Sequence, residues 1–492
     1  MLRPACHHIR RRLIHGPRLR THRSTTAATG PSLVTLAIET SCDDTAVAVL
    51  SRCRRTGRAS LLFNERISSD NRPFKGVNPA IAVQGHNASL APLVRRALAF
   101  LPDARACDGG NEGGRVLAVG DGECRTNRKM PDFVSVTRGP GIMANLAVGL
   151  NMAKGLAVAW DVPLLAVHHM QAHALTPRLV HALGEETARV RTEGEAAAES
   201  DVEVDTGAGA ETLTSCPEFP FLSLLVSGGH TQLVHSTSLV HHRILANTAD
   251  IAIGNLLDQT ARVILPADVL EASPDVMYGR VLEEFAFPPD LGDVGAQHAD
   301  FFRPATSRHD EMVDVPSGYS WTVPLPFRNS RKLVFSFSSI YTNVHRIAAA
   351  NPSMDLAERR ALARHTLRAA FQHLVSRLVL ALTDVAQPGS SVPAAAHALV
   401  VAGGVASNRF LMHVLRSTLV ARGFPDLPIL APPVTLCTDN AAMVAWTAVE
   451  MYDAGWASDL SVRPIGKWSM DPAVGEGILG VDGWLKQKAS FP

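Results

Sequence analysis

One pattern occurs twice in this chain and restricts its fold more than any other feature. Residues 34–38 are an apolar run that reads as a buried strand, followed by the polar turn Glu39-Thr-Ser-Cys-Asp-Asp-Thr45 and a returning apolar run, residues 46–50. In the second half Phe221-Leu-Ser-Leu-Leu-Val226 is the strand, Ser227-Gly-Gly-His-Thr231 the turn and residues 232–234 the return. Further strands are expected over 133–136, 162–167, 398–402 and 429–431. Helices are expected over 86–101, 144–159 and much of 328–387. Short strands alternating with longer helices give an α/β fold. Two hairpin-led halves predict two related lobes around a central cleft.

The 492 residues are 46% hydrophobic, enough for a core in two lobes. A net charge of +1 gives no chain-wide attraction to nucleic acid. Residues 1–30 differ from the rest: they hold seven arginines and no acidic residue, the pattern of a mitochondrial transit peptide, the alternative being a disordered basic tail. No run of 18 apolar residues predicts a membrane span. Seven cysteines without a CxxC pair suggest a reducing compartment and no disulfide framework. The expected organisation is an N-terminal lobe over 31–220, a C-terminal nucleotide-binding lobe over 221–471 and a tail over 472–492. Disordered insertions are expected at about 102–130, which is Gly-rich, and 184–215, which has nine acidic residues and two arginines.

Val167-His-His-Met-Gln-Ala-His173 carries three histidines. On a helix His169 and His173 share one face and could grip one transition metal. Asp439 is the candidate third ligand, although a carboxylate at a helix start also serves as a cap. Two histidines and one carboxylate form a recurrent metal set with open positions. His168 points elsewhere and reads as structural. His86 and His230 lie near turns, as substrate contacts or surface histidines. HExxH is absent, which disfavours a metallopeptidase.

Gly228-Gly229 and Gly403-Gly404 each directly follow a strand. Such turns let the backbone approach an anion, and one from each lobe could clamp a nucleotide. Neither a P-loop nor GxGxxG is present. Asp258 suits a ribose contact or a solvated helix face. Arg360, Arg364 and Arg368 form a helical stripe, either an RNA-steering surface or a solvated face.

Taken together, residues 39–45, 137–141, 167–173, 227–231, 401–408 and 437–440 resemble the tRNA N6-adenosine threonylcarbamoyltransferases, most nearly their mitochondrial branch, over residues 34 to about 471. The resemblance implies the duplicated fold of actin, sugar kinases and heat-shock chaperones. It implies transfer of threonylcarbamoyl from threonylcarbamoyl-adenylate to adenosine 37 of tRNAs reading ANN codons, in the mitochondrion and as a homodimer. It further implies one divalent ion, zinc or iron, on His169, His173 and Asp439. Nucleotide contacts fall at Ser227, Gly228, Gly229, His230, Thr231, Asp258, Gly403, Gly404 and Asn408.

The donor is a mixed anhydride with a good leaving group, AMP, while the acceptor amine is delocalised into its ring. Catalysis then needs positioning and stabilisation of developing oxygen charge. Glu39 or Asp43 is the expected acceptor of the amine proton. The sequence departs from the family at Asn255, usually acidic, at Gln259, usually lysine, over 266–278, and in the 337–342 segment that includes Tyr341. Two rival readings are a small-molecule kinase of the same fold and a non-catalytic tRNA-binding or scaffold protein. The kinase has no need of His169 and His173, and the intact motifs disfavour the scaffold.

Overall fold

The computed structural model describes residues 32–74, 76–104, 115–120, 125–184, 216–273, 276–385 and 396–486. The expected transit segment, residues 1–30, and the 184–215 insertion beyond Gly184 lie outside the described residues. Among the described residues no helix is long and apolar enough to cross a membrane.

The first expected hairpin is β1 (Ser32–Glu39) and β2 (Asp44–Cys53), continued by β3 (Ala59–Ser68) in an antiparallel meander. β6 (Phe133–Gly139) lies parallel to β1, and β7 (Leu164–His168) parallel to β6. The second hairpin, β8 (Phe221–Val226) and β9 (Thr231–Ser236), is continued by β10 (His242–Thr248). β12 (Leu399–Ala402) and β13 (Ile429–Leu430) run parallel to β8 on its other side. A two-residue strand, β11 (Val334–Phe335), edges this sheet. The spatial orders β3-β2-β1-β6-β7 and β10-β9-β8-β12-β13 are therefore the same arrangement used twice.

The central strands β1, β6, β7, β8 and β12 are buried on both faces, which explains why they are nearly continuous apolar runs. Outside the first sheet lie α1 (Pro79–Leu98) and α2 (Met143–Trp160), packed on Leu36, Ile38, Val47 and Val49. Outside the second lie α4 (Ile253–Ile264), α5 (Tyr278–Ala286), α6 (Leu356–Val385) and α7 (Arg409–Ala421). Between the sheets sit α3 (His169–Leu183) and α8 (Ala441–Asp453), sharing one core with Leu165 and Val167 of one sheet and Leu225 and Val400 of the other.

Two expected boundaries change. α8 is apolar nearly all round, and such a helix must be enclosed. Its buried Met443, Val444, Val449 and Met451 each stabilise the enclosed position by about 1.5–3 kcal/mol. The chain therefore returns to the first sheet well before residue 471. β14 (Trp456–Ser458) pairs with β7, and β15 (Trp484–Lys486), in the supposed tail, pairs with β14. Within the stretch expected to be a disordered insertion, β4 (Val116–Val119) and β5 (Thr126–Lys129) form an antiparallel ladder.

Candidate active site

α3 starts directly at the end of β7, so His169 is its first residue and His173 lies one turn on. Their rings stand nearly perpendicular at 4.8 Å. Asp439 arrives from the loop before α8. Asn440 rather than Asp439 caps that helix, its side chain accepting from Met443 N at 2.9 Å. The aspartate is thereby left to face the histidines. Its Oδ1 lies 3.1 Å from His173 Nε2 and 3.6 Å from His169 Nε2. Among the described residues this is the one group of three such side chains close enough to share an ion, with ligand atoms within 4.8 Å of one another.

Glu39 sits beneath His169, its Oε2 3.2 Å from Nδ1. The same carboxylate accepts from Ser41 N at 2.5 Å and from the Thr137 hydroxyl, and it is fully buried. The expected role of Glu39 as proton acceptor is therefore revised, because its oxygens are engaged and shielded from any substrate. A carboxylate that accepts from Nδ1–H turns Nε2 toward Asp439, the usual arrangement behind a metal-bound histidine. Burial pushes the His169 imidazole down, but Asp439 and Glu39 more than offset it and raise it to about 9. Burial opposes ionisation of Asp439, yet His169 and His173 hold its carboxyl below the ordinary range. Two imidazoles and a carboxylate converging on one point, with the outer nitrogen of His169 secured by an acid, fit a divalent zinc or iron ion. Asp43 directly precedes β2, and its Oδ2 accepts from Asn71 Nδ2 at 3.1 Å.

The two glycine turns lie at the carboxyl ends of adjacent parallel strands, β8 and β12. That edge is where open α/β sheets bind ligands. At Gly228 and Gly229 an added Cβ would meet nothing within 4 Å. Ser227 Oγ accepts from His230 N at 3.1 Å, and Thr231 Oγ1 accepts from Ile253 N at 2.8 Å, fixing the turn to α4. Gly403, at φ +102°, passes so near β8 that a Cβ would lie 2.3 Å from Val226 O. At Gly404 the nearest group to an added Cβ is the Thr438 methyl, 3.8 Å away, beside Asp439. His230 is lowered to about 4 by burial and by the charge of the nearby His169 and His173. The glycine turns and the His169–His173–Asp439 cluster thus lie side by side.

The remaining candidates are sorted by their contacts. Asn408 caps α7, its Oδ1 accepting from Leu411 N at 2.8 Å. Asp258 Oδ1 accepts from Gly279 N at 2.9 Å. His86 is buried with Nδ1 2.8 Å from Thr45 Oγ1 and Nε2 3.0 Å from Cys42 O, so it braces the first turn. The arginine stripe is partly enclosed. Arg360 and Arg364 donate to the Phe285 and Ala286 carbonyls at the end of α5, and Arg368 is buried. Asn255 and Gln259 pair with each other, Gln259 Nε2 donating to Asn255 Oδ1 at 2.9 Å. The neutral pair preserves the one-turn contact that an acid and a lysine would make. Sequence reasoning missed Glu283, whose Oε1 accepts from Phe410 N at 2.8 Å and which burial raises to about 7. No local motif announces it.

A family model described as tRNA N6-adenosine threonylcarbamoyltransferase matches residues 122–187 and 205–446. The chain is 33% identical over 471 residues to a "tRNA N6-adenosine threonylcarbamoyltransferase, mitochondrial" of Schizosaccharomyces pombe, covering 93% of this chain and 90% of that one. It is 30% identical to a "tRNA N6-adenosine threonylcarbamoyltransferase" of Bartonella bacilliformis, covering 90% and 98%. Among solved structures, the crystal structure of T. kodakarensis HypF is similar over 87% of this chain and 48% of that one, at 13% identity and a TM-score of 0.39. With the family model and both relatives in agreement over most of its length, the chain belongs to the tRNA N6-adenosine threonylcarbamoyltransferase family.

Proposed function

We propose that this chain transfers the threonylcarbamoyl group of threonylcarbamoyl-adenylate to the N6 amine of adenosine 37 in mitochondrial tRNAs, releasing AMP. The observation that carries the reading is the meeting of His169, His173 and Asp439 beside the two glycine turns. A small-molecule kinase would use the turns and leave the histidine pair unexplained.

In this reading the turns at Ser227–Thr231 and Gly403–Gly404 hold the adenylate through backbone N–H groups. A zinc or iron ion on the three ligands would supply Lewis acidity toward an oxygen of the threonylcarbamoyl end. Glu39 fixes the ring of His169, and Asp43 takes the proton lost by the attacking amine. The repeated strand order supports the duplicated actin-like fold, with two lobes around the cleft. Cleavage of a leader within residues 1–30 and assembly as a homodimer complete the proposal, both resting on the resemblance to the mitochondrial branch. The test incubates the protein with tRNA and threonylcarbamoyl-adenylate and weighs the digested nucleosides. Modified adenosine supports the reading, and tight tRNA binding without turnover contradicts it.

A further inference from the structure

We infer that His168 is a positioning residue for the metal ligands, gripped between the first turn of α3 and the C-terminal segment of the chain. The inference rests on the metal reading above. Because α3 begins at His169, its first ligand stands where backbone N–H groups have no partner within the helix. His168 supplies one. Its Nδ1 accepts from Met170 N at 3.1 Å and from Gln171 N at 3.3 Å. A ring nitrogen that accepts carries no proton, so the proton resides on Nε2, which donates to Trp468 O at 3.0 Å. The ring is fully buried, with the Trp468 ring edge-on at 4.6 Å, and Trp468 Nε1 donates to Gly477 O at 2.8 Å.

Asn, Asp and Ser are the usual caps because they offer a compact oxygen acceptor. Histidine adds what they lack, a second nitrogen that reaches another segment. That segment also braces the turn after β6: Gly141 N donates to Gly466 O at 3.2 Å, and Ile465 N to Arg138 O at 2.9 Å. Trp468 lies beyond residue 446, where the family-model match ends. The support of the metal helix therefore includes residues outside the matched region.

Zinc affinity of the full chain, read by competition with a chromophoric chelator, tests this. His168→Ala loses both links and is expected to weaken zinc about 10–100-fold, the range for partners behind a ligand. His168→Asn keeps the cap and loses the tether, and Trp468→Phe keeps the cap and loosens the tether. Each is expected to fall between wild type and His168→Ala, at roughly 3–10-fold. Wild-type affinity in His168→Ala, even with a lowered melting temperature, overturns the inference and leaves His168 a core residue. So does a His168→Asn variant as weak as His168→Ala. Should His168→Ala not fold, the other two decide, and wild-type affinity in both is the contrary result. Failure of the wild-type chain to bind zinc or iron is a different outcome, which removes the metal reading itself.

Discussion

The two sheets share a strand order but differ in the turn after their first strand. In the first sheet the turn after β1 is built from side chains: Glu39, Ser41 and Thr45 are buried, and they support His169 and His86. The turn after β6 is filled by the chain itself, since a Cβ on Gly139 would lie 2.0 Å from Ile465 O. In the second sheet the corresponding turns after β8 and β12 carry glycines: Gly403, like Gly139, lies against backbone, while an added Cβ would meet nothing within 4 Å at Gly228 and Gly229 and only the Thr438 methyl at Gly404. The turn after β1 thus gives a rigid mount for the histidine pair, and the turn after β8 gives an open backbone cradle. The difference teaches that a duplicated topology fixes where turns fall, while local side-chain volume decides whether a turn holds up a ligand or receives one.

This contrast can be broken experimentally. The largest effect is expected for His173→Ala, which should lose transfer activity by more than the roughly 100-fold seen for supporting residues, with metal content near zero. Glu39→Gln should cost about tenfold in metal affinity and leave nucleotide binding intact, because it acts through His169. Gly403→Ala should destabilise the chain by about 1–3 kcal/mol in urea unfolding, since its conformation and its approach to Val226 both resist a Cβ. Gly228→Ala, which meets nothing, should leave stability within about 0.5 kcal/mol and weaken nucleotide binding instead. Equal stability losses at the two glycines would contradict the open-cradle description.

A further test is the pH dependence at Glu283. Its folded carboxyl titrates near 7 against an ordinary value of 4.5. The folded state then holds a proton that the unfolded chain has released, so stability falls as pH rises through that window. Glu283→Gln should flatten this slope in urea midpoints measured across it. The smallest effect belongs to the Asn255–Gln259 pair. Restoring Glu and Lys together should change stability by no more than about 0.5 kcal/mol, with each single change less favourable than the double.

Much of this was legible in the sequence wherever one segment decided the outcome. β8 coincides with the apolar run at 221–226, and α2 with the small-residue stretch around 144–159. The shared face of His169 and His173 could be read from their spacing and Asp439 picked out by its place at a helix start, and the three meet although His173 and Asp439 are 266 residues apart. What stayed hidden depends on tertiary packing. β14 and β15 have three residues each and no periodicity to detect, and their existence follows from α8 carrying the chain back to the first sheet. Glu39 looked like a base because nothing local reveals that Thr137, Ser41 and His169 surround it. The arginine stripe looked like an RNA surface because its carbonyl partners at 285 and 286 lie on another helix.

The most direct check compares the metal content of the wild-type chain and Asp439→Ala after reconstitution with zinc or iron. One ion per wild-type chain, and essentially none in a folded Asp439→Ala variant that has also lost threonylcarbamoyl transfer, is the result expected here. Equal metal content in both proteins, or undiminished transfer by the variant, would contradict it.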